Sequence, residues 1–256
     1  TLTLDGYKAW RLGPNPIEAF KDKSISEAVK ILRKTEGNTK YLDLIDHLTS
    51  IDGGNSNVNV NSVDSLLDPK RGVALGGYFY VANNNIFLQR SVSSHSYDRI
   101  LAHEYVHAIT SRKIKEQRDK PNRADQSKEY KTLLQLYNAA IKANDLAGAK
   151  TQYGLKNIEE FVAEAFTNDK FQEFLESIPS KEKGTLWGDF VDAIRSMLGL
   201  SAKDGFLLKE VLKASREMVS YKSESLDATP NTKEYSQYIH DLKSEYDFYN
   251  KSNRDF

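Results

Sequence analysis

Apolar positions near the start of the chain recur at helical spacing. Ile25, Ala28, Val29, Ile31 and Leu32 follow Ser24 or Ser26 as a cap. Leu42, Leu44, Ile45 and Leu48 resume the period after a break at Gly37-Asn38, so residues 24–50 predict two helices. The loop-forming run Gly53-Gly54-Asn55-Ser56-Asn57 comes next. Val58 and Val60 then alternate with Asn, as in a short strand. From Val73 to Ala82 the chain is aromatic and β-branched; Asn83-Asn84-Asn85 marks a turn, and Ile86-Phe87-Leu88 returns as a second strand, predicting a hairpin. Ser93 to Ser96 offers caps for a helix over about 97–118. Further helices are expected over about 127–143, 157–167, 169–177, 187–198, 205–220 and 232–249, punctuated by Gly148, Gly154, Pro179, Gly184, Gly199 and Pro230. The pattern describes an α+β protein in which a small sheet is packed by helices and the C-terminal part is mainly helical.

Composition narrows the classes of function. The 256 residues include 39% hydrophobic side chains, with 14 Tyr and 11 Phe, enough to bury a sizeable core. The 36 basic and 36 acidic residues cancel, which gives no reason to expect nucleic acid or an anionic membrane as a partner. The charged stretch Arg112 to Lys131 reads as a solvated helix and loop. No apolar run approaches the roughly 18 residues of a membrane span, and the N-terminus carries no signal-peptide pattern. The chain begins at Thr1, as expected of an excised domain or a processed product of a larger polypeptide. With no cysteine, any metal site must use His and carboxylates.

Candidate chemistry concentrates at His103-Glu104-Tyr105-Val106-His107, an H-E-x-x-H pattern. On a helix, residues i and i+4 share a face, so two imidazoles can converge on one ion. The Glu after the first His sits beside that ion, where it can take a proton from the attacking water. Chance matches to five residues are common. Here, though, Leu101, Ala102, Tyr105, Val106, Ala108 and Ile109 mark the helix as buried, and polar groups in its middle need partners. Position 113 is Lys, so a third His at metzincin spacing is absent. Downstream, Glu160 and Glu164 share one helical face; on pattern alone Glu160 is equally a ligand or, with Asn157, part of a capping box. His47, His95 and His240 read as ordinary helix or surface residues, and the tail aromatics Tyr235, Tyr238, Tyr246, Phe248 and Tyr249 as helix packing or a partner surface.

His103-Glu104-x-x-His107 together with Tyr153-Gly154-x-x-Asn157-x-x-Glu160-Phe161-x-Ala163-Glu164-Ala165-Phe166 resembles the catalytic domain of anthrax lethal factor and the related secreted Pro-Pro endopeptidases of clostridia. It is also similar to zincin domains of large phage polyproteins. The resemblance covers roughly residues 75–200. It implies a zincin-like metallopeptidase fold and a zinc ion (Zn2+) held by His103, His107 and Glu160. Further implied roles are Glu104 as general base, Tyr153 facing the metal site, and Glu164 orienting a ligand imidazole. In zincins an edge strand before the active helix pairs with extended substrate, which here implies Gly77, Tyr78, Phe79 and Tyr80, with Tyr78 and Tyr80 on one side. The gap from His107 to Glu160 holds an extra charged helix, longer than expected for the family. The regional expectation is an N-terminal helical region over 1–70, a catalytic core over 71–200 and a C-terminal helical region over 201–256, forming one compact unit. The expected activity is zinc-dependent endopeptidase action on a peptide or protein substrate. A structural or binding module of a phage particle or toxin assembly, or hydrolysis of a non-peptide amide, are the other readings.

Overall fold

The computed structural model describes residues 20–37, 39–52, 57–67, 75–90, 97–148, 152–180 and 184–199. The helices expected over 205–220 and 232–249 lie outside the described residues, as do the tail aromatics, His95, His240 and the caps at 93–96. The protein is a mixed α and β structure, mostly helical with a small mixed sheet. Its contacts divide the chain into two compact units, residues 1–112 and 113–256.

In the first unit, β1 (Lys23–Ser24) leads directly into α1 (Ile25–Glu36), followed by α2 (Lys40–Asp52). Ser24 starts α1 with a complete capping box: its hydroxyl accepts from Glu27 N at 3.3 Å, and the Glu27 carboxylate accepts from Ser24 N at 2.9 Å. Arg33 then ties α1 to α2 through Asp43 at 2.9 Å and Asp46 at 2.6 Å. Ala28, Val29, Leu32, Leu42, Ile45 and Leu48 are buried, as their spacing predicts.

The sheet is completed by β2 (Asn59–Val63), β3 (Gly77–Tyr80) and β4 (Asn85–Gln89), in the order β1-β2-β4-β3. β2 runs parallel to β4, whereas β1 and β3 are antiparallel to their neighbours. The expected hairpin is β3–β4. Its turn places Asn84 at φ 56°, a left-handed conformation that Asn tolerates better than most residues. Within the described part of the Val73–Ala82 run the first strand spans Gly77–Tyr80, with Val81 and Ala82 in the turn; Val73 and Ala74 lie outside the described residues. Side chains alternate along it: Phe79 is buried, while Tyr78 and Tyr80 are each 46% exposed with ring centroids 6.4 Å apart. Among the described residues β3 ends the sheet, so one of its edges faces away from β4.

α3 (Tyr97–Arg118) is the long helix that the periodicity predicts. Leu101, Ala102, Tyr105 and Val106 are at most 1% exposed. Thr49 Oγ1 donates to Ile45 O at 2.8 Å and sits 3.1 Å from the Tyr105 hydroxyl, giving that buried group a polar neighbour. Burial pushes the Tyr105 phenol above its ordinary pKa.

The second unit is built from α4 (Lys128–Leu146), α5 (Ile158–Thr167), α6 (Asp169–Ser177) and α7 (Leu186–Leu198), with a 3-10 turn at Tyr153–Leu155 before α5 and a two-stranded ribbon, β5 (Pro179–Ser180) with β6 (Gly184–Thr185), before α7. Phe161 is its centre: fully buried, it meets Tyr137, Phe171 and Phe190 edge-on at 5.6, 5.7 and 5.7 Å. Asn168 is both the C-cap of α5 and the N-cap of α6, its side chain accepting from Lys170 N and Phe171 N. Among the described residues no helix is long and apolar enough to cross a membrane.

Candidate metal centre

Two histidines one turn apart on α3 set the first part of the site. His103 and His107 are half-buried, their Nε2 atoms stand 3.3 Å apart, and their rings meet at 76° with centroids 4.9 Å apart. The helix makes this inevitable once both side chains choose the same face.

Glu104 lies next to His103 but points elsewhere, and is only 8% exposed. Strand β3 runs close against it. A Cβ at Gly77 would sit 2.9 Å from Glu104 Cγ, 3.1 Å from Glu104 Oε1 and 2.6 Å from Ile100 Cγ2. The position therefore accepts glycine because the strand backbone and this helix approach within one methyl group of each other. The reading of Gly77 as a strand residue did not reveal this contact.

The remaining candidate residues are gathered around the start of α5. Asn157 caps the helix, its side chain accepting from Glu160 N at 2.8 Å, so the capping interaction suggested by the sequence is present. The carboxylate of Glu160 is engaged separately: Tyr153 donates its hydroxyl to Glu160 Oε1 at 2.9 Å. Tyr153 is 50% exposed, and Lys156 Nζ stands 5.2 Å from its ring centroid. The turn that carries Tyr153 is anchored by Tyr137, whose hydroxyl donates to Leu155 O at 3.0 Å. Burial, and secondarily the charge of Glu159, hold the Tyr137 phenol above its ordinary pKa. Gly154 lets the same turn pass close to its neighbours, since a Cβ there would lie 2.7 Å from Phe171 Cζ and 3.0 Å from Glu164 Cβ.

One ligand atom each from His103, His107 and Glu160 lie within 4.8 Å of one another, and the three form a group that could hold a metal ion. All three are half-buried. Glu164, one turn beyond Glu160, is 6% exposed and accepts from Asn168 Nδ2 at 2.5 Å. Glu159 is engaged elsewhere, taking a charge-assisted hydrogen bond from Arg118 Nη1. His47 lies on α2, and its Nε2 has no hydrogen-bond partner among the described residues.

Compared with known proteins, the chain matches no family model, no curated protein and no solved structure.

Proposed function

We propose that this protein is a zinc-dependent endopeptidase with a zincin-like, lethal factor-like catalytic core. The observation that carries the reading is the His103–His107–Glu160 group. Two donors at roughly 2.0–2.1 Å from one tetrahedral ion stand about 3.3–3.4 Å apart. The two imidazole Nε2 atoms stand 3.3 Å apart. Two imidazoles and one carboxylate are also a donor set that catalytic zinc sites use, with a coordination position left for the reaction.

His103, His107 and Glu160 would hold the ion, which supplies Lewis acidity toward the scissile carbonyl and the attacking water. Glu104 is the general base: its carboxylate takes the proton of the water and returns it to the departing amine. Its low exposure favours that exchange by excluding competing solvent. Tyr153 donates to the oxyanion as the carbonyl becomes tetrahedral. To do so its hydroxyl swings away from Glu160 Oε1, its present acceptor.

Substrate binding follows from the register of β3. Gln89 N donates to Gly76 O, which makes Gly76–Gln89 a hydrogen-bonded position of the ladder, and by alternation Tyr78 and Tyr80 occupy the same kind of position opposite β4. The N–H and C=O groups of Gly77 and Phe79 consequently point away from β4. An extended peptide would pair there as an added strand, one residue pair from Glu104. Tyr78 and Tyr80 would meet alternate substrate side chains, while Phe79 contributes backbone alone, its side chain being buried.

The test is turnover of a peptide selected from a mixed library. Glu104→Gln should retain the metal and lose about 10²–10⁴-fold in rate, and Tyr153→Phe should lose less, with substrate binding largely kept. Full activity in Glu104→Gln at equal zinc content would place the chemistry elsewhere.

A further inference from the structure

The first turn of α5 presents two adjacent carboxylates, Glu159 and Glu160, and only one belongs to the metal group. Consecutive helical residues point about 100° apart. Even so, both carboxylates sit at a helix N-terminus that favours anions, and a flexible Glu side chain can compete for a nearby cation. Something must separate their roles.

We propose that Arg118 does so. It is a positioning residue that engages Glu159, pins the first turn of α5, and leaves Glu160 as the carboxylate presented to the metal. The inference rests on the metal reading above and adds to it a residue far from the ligands in sequence.

Arg118 is the last residue of α3, the same helix that carries His103 and His107. Its Nη1 donates to Glu159 Oε1 across 41 residues of chain, and its Nε stands 3.7 Å from Asp119 Oδ1. Glu159 is the more enclosed partner, with 19% of its side chain exposed against 47% for Arg118. Beside this pair, Asn157 fixes the backbone N–H of Glu160, and Tyr153 donates to its carboxylate until substrate takes that hydroxyl. Glu160 is thus held at its backbone, at its side chain and through its neighbour. Removing the Arg118 anchor frees the Glu159 carboxylate to compete with Glu160 for the ion and loosens the first turn of α5, so that Glu160 is presented less well. Because the pair is partly exposed, its effect is moderate and weakens with salt.

The experiment uses the full chain stripped of metal and titrated with Co2+, reading the dissociation constant and the visible absorption band of the bound ion. Arg118→Met is expected to weaken binding about 10-fold at low salt, the lower end of effects for groups that support a metal ligand, and to alter the band. That difference should shrink at about 1 M salt. Glu159→Gln should not add to the loss in a double variant, and Arg118→Lys, or the exchange Arg118→Glu with Glu159→Arg, should recover most of the affinity. Arg118→Met with wild-type affinity and an unchanged band overturns the proposal, as do strictly additive losses in the double variant. A wild type that binds no Co2+ overturns the metal reading and this inference together, whereas binding lost in His103→Ala but unaffected in Arg118→Met overturns the inference alone.

Discussion

Replacing Gly77 by alanine adds one methyl group where strand β3 comes close to Ile100 and Glu104, the proposed general base, on α3. The new Cβ would lie 2.9 Å from Glu104 Cγ and 2.6 Å from Ile100 Cγ2. Ordinary carbon–carbon contacts settle near 3.5–4.0 Å, so Glu104 must retreat by about 0.6–1.1 Å and Ile100 by about 0.9–1.4 Å unless the strand moves. Ile100 is β-branched and has few rotamers to offer, and Glu104 is 8% exposed with little room behind it. A misplacement near 1 Å of a reacting group costs about 10²-fold in rate. Overpacking of this kind costs about 1–3 kcal/mol in stability. His103 and His107 point elsewhere, so zinc content should be unchanged. The assay is kcat/KM on a library-selected peptide at equal zinc occupancy, beside a thermal melt. Gly148→Ala is the control: at φ +60° it is strained, yet a Cβ there meets nothing within 4 Å, so it should cost stability and leave kcat/KM alone. Gly77→Ala with wild-type kcat/KM would refute the reasoning that β3 constrains Glu104 as the proposed general base.

Three further outcomes are expected. Protein purified without added metal should contain about one zinc per chain, and the His103→Ala, His107→Ala double variant none by elemental analysis; zinc retained in that variant removes the assignment. Glu160→Ala should lose the metal, whereas Glu164→Ala should keep it with affinity weakened about 10–100-fold, measured by competition with a chelator; the opposite ranking would mean that the ligand lies one turn further on. The Glu27 carboxyl is held below its ordinary pKa, chiefly by the backbone N–H of Ser24 and then by its hydroxyl. A carboxyl with a depressed folded-state pKa contributes stability above its unfolded pKa, and that contribution disappears as pH falls through the folded value. The stability gap between wild type and Glu27→Gln, from urea midpoints, should therefore be present at neutral pH and close in acid; a gap independent of pH would contradict this.

Much of the site was legible because helices write themselves into a sequence locally. The spacing of Leu101, Ala102, Tyr105 and Val106 predicted both the span of α3 and the shared face of His103 and His107. Asn157 and Glu160 announced the start of α5, and the alternation in β3 placed Tyr78 and Tyr80 on one side of the strand, though not which side is exposed. What escaped reading depends on contacts between distant segments. β1, β5 and β6 are two residues each, too short for a period of two to register. Arg118 sits in a run of charges that reads as solvated, and only the fold brings Glu159 to it. Gly77 shows no sign in sequence that its missing side chain is where a helix fits.

The strand order of the sheet also sets a timetable for folding. Phe79 and Ile86 are paired across a hairpin only seven residues apart, Val60 reaches the same Ile86 from 26 residues away, and Lys23 reaches Val60 from 37. Going from seven to 26 is nearly two doublings of loop length, an added closure cost of about 1.2 kcal/mol. A hairpin forms in roughly 1–10 μs, so β3–β4 is expected to be the template on which β2, and then β1, condense. The strand proposed to pair with an extended peptide is then among the first parts of the chain to acquire its shape. In pulsed hydrogen exchange during refolding, the amides shared by β3 and β4 should become protected before that of Val60.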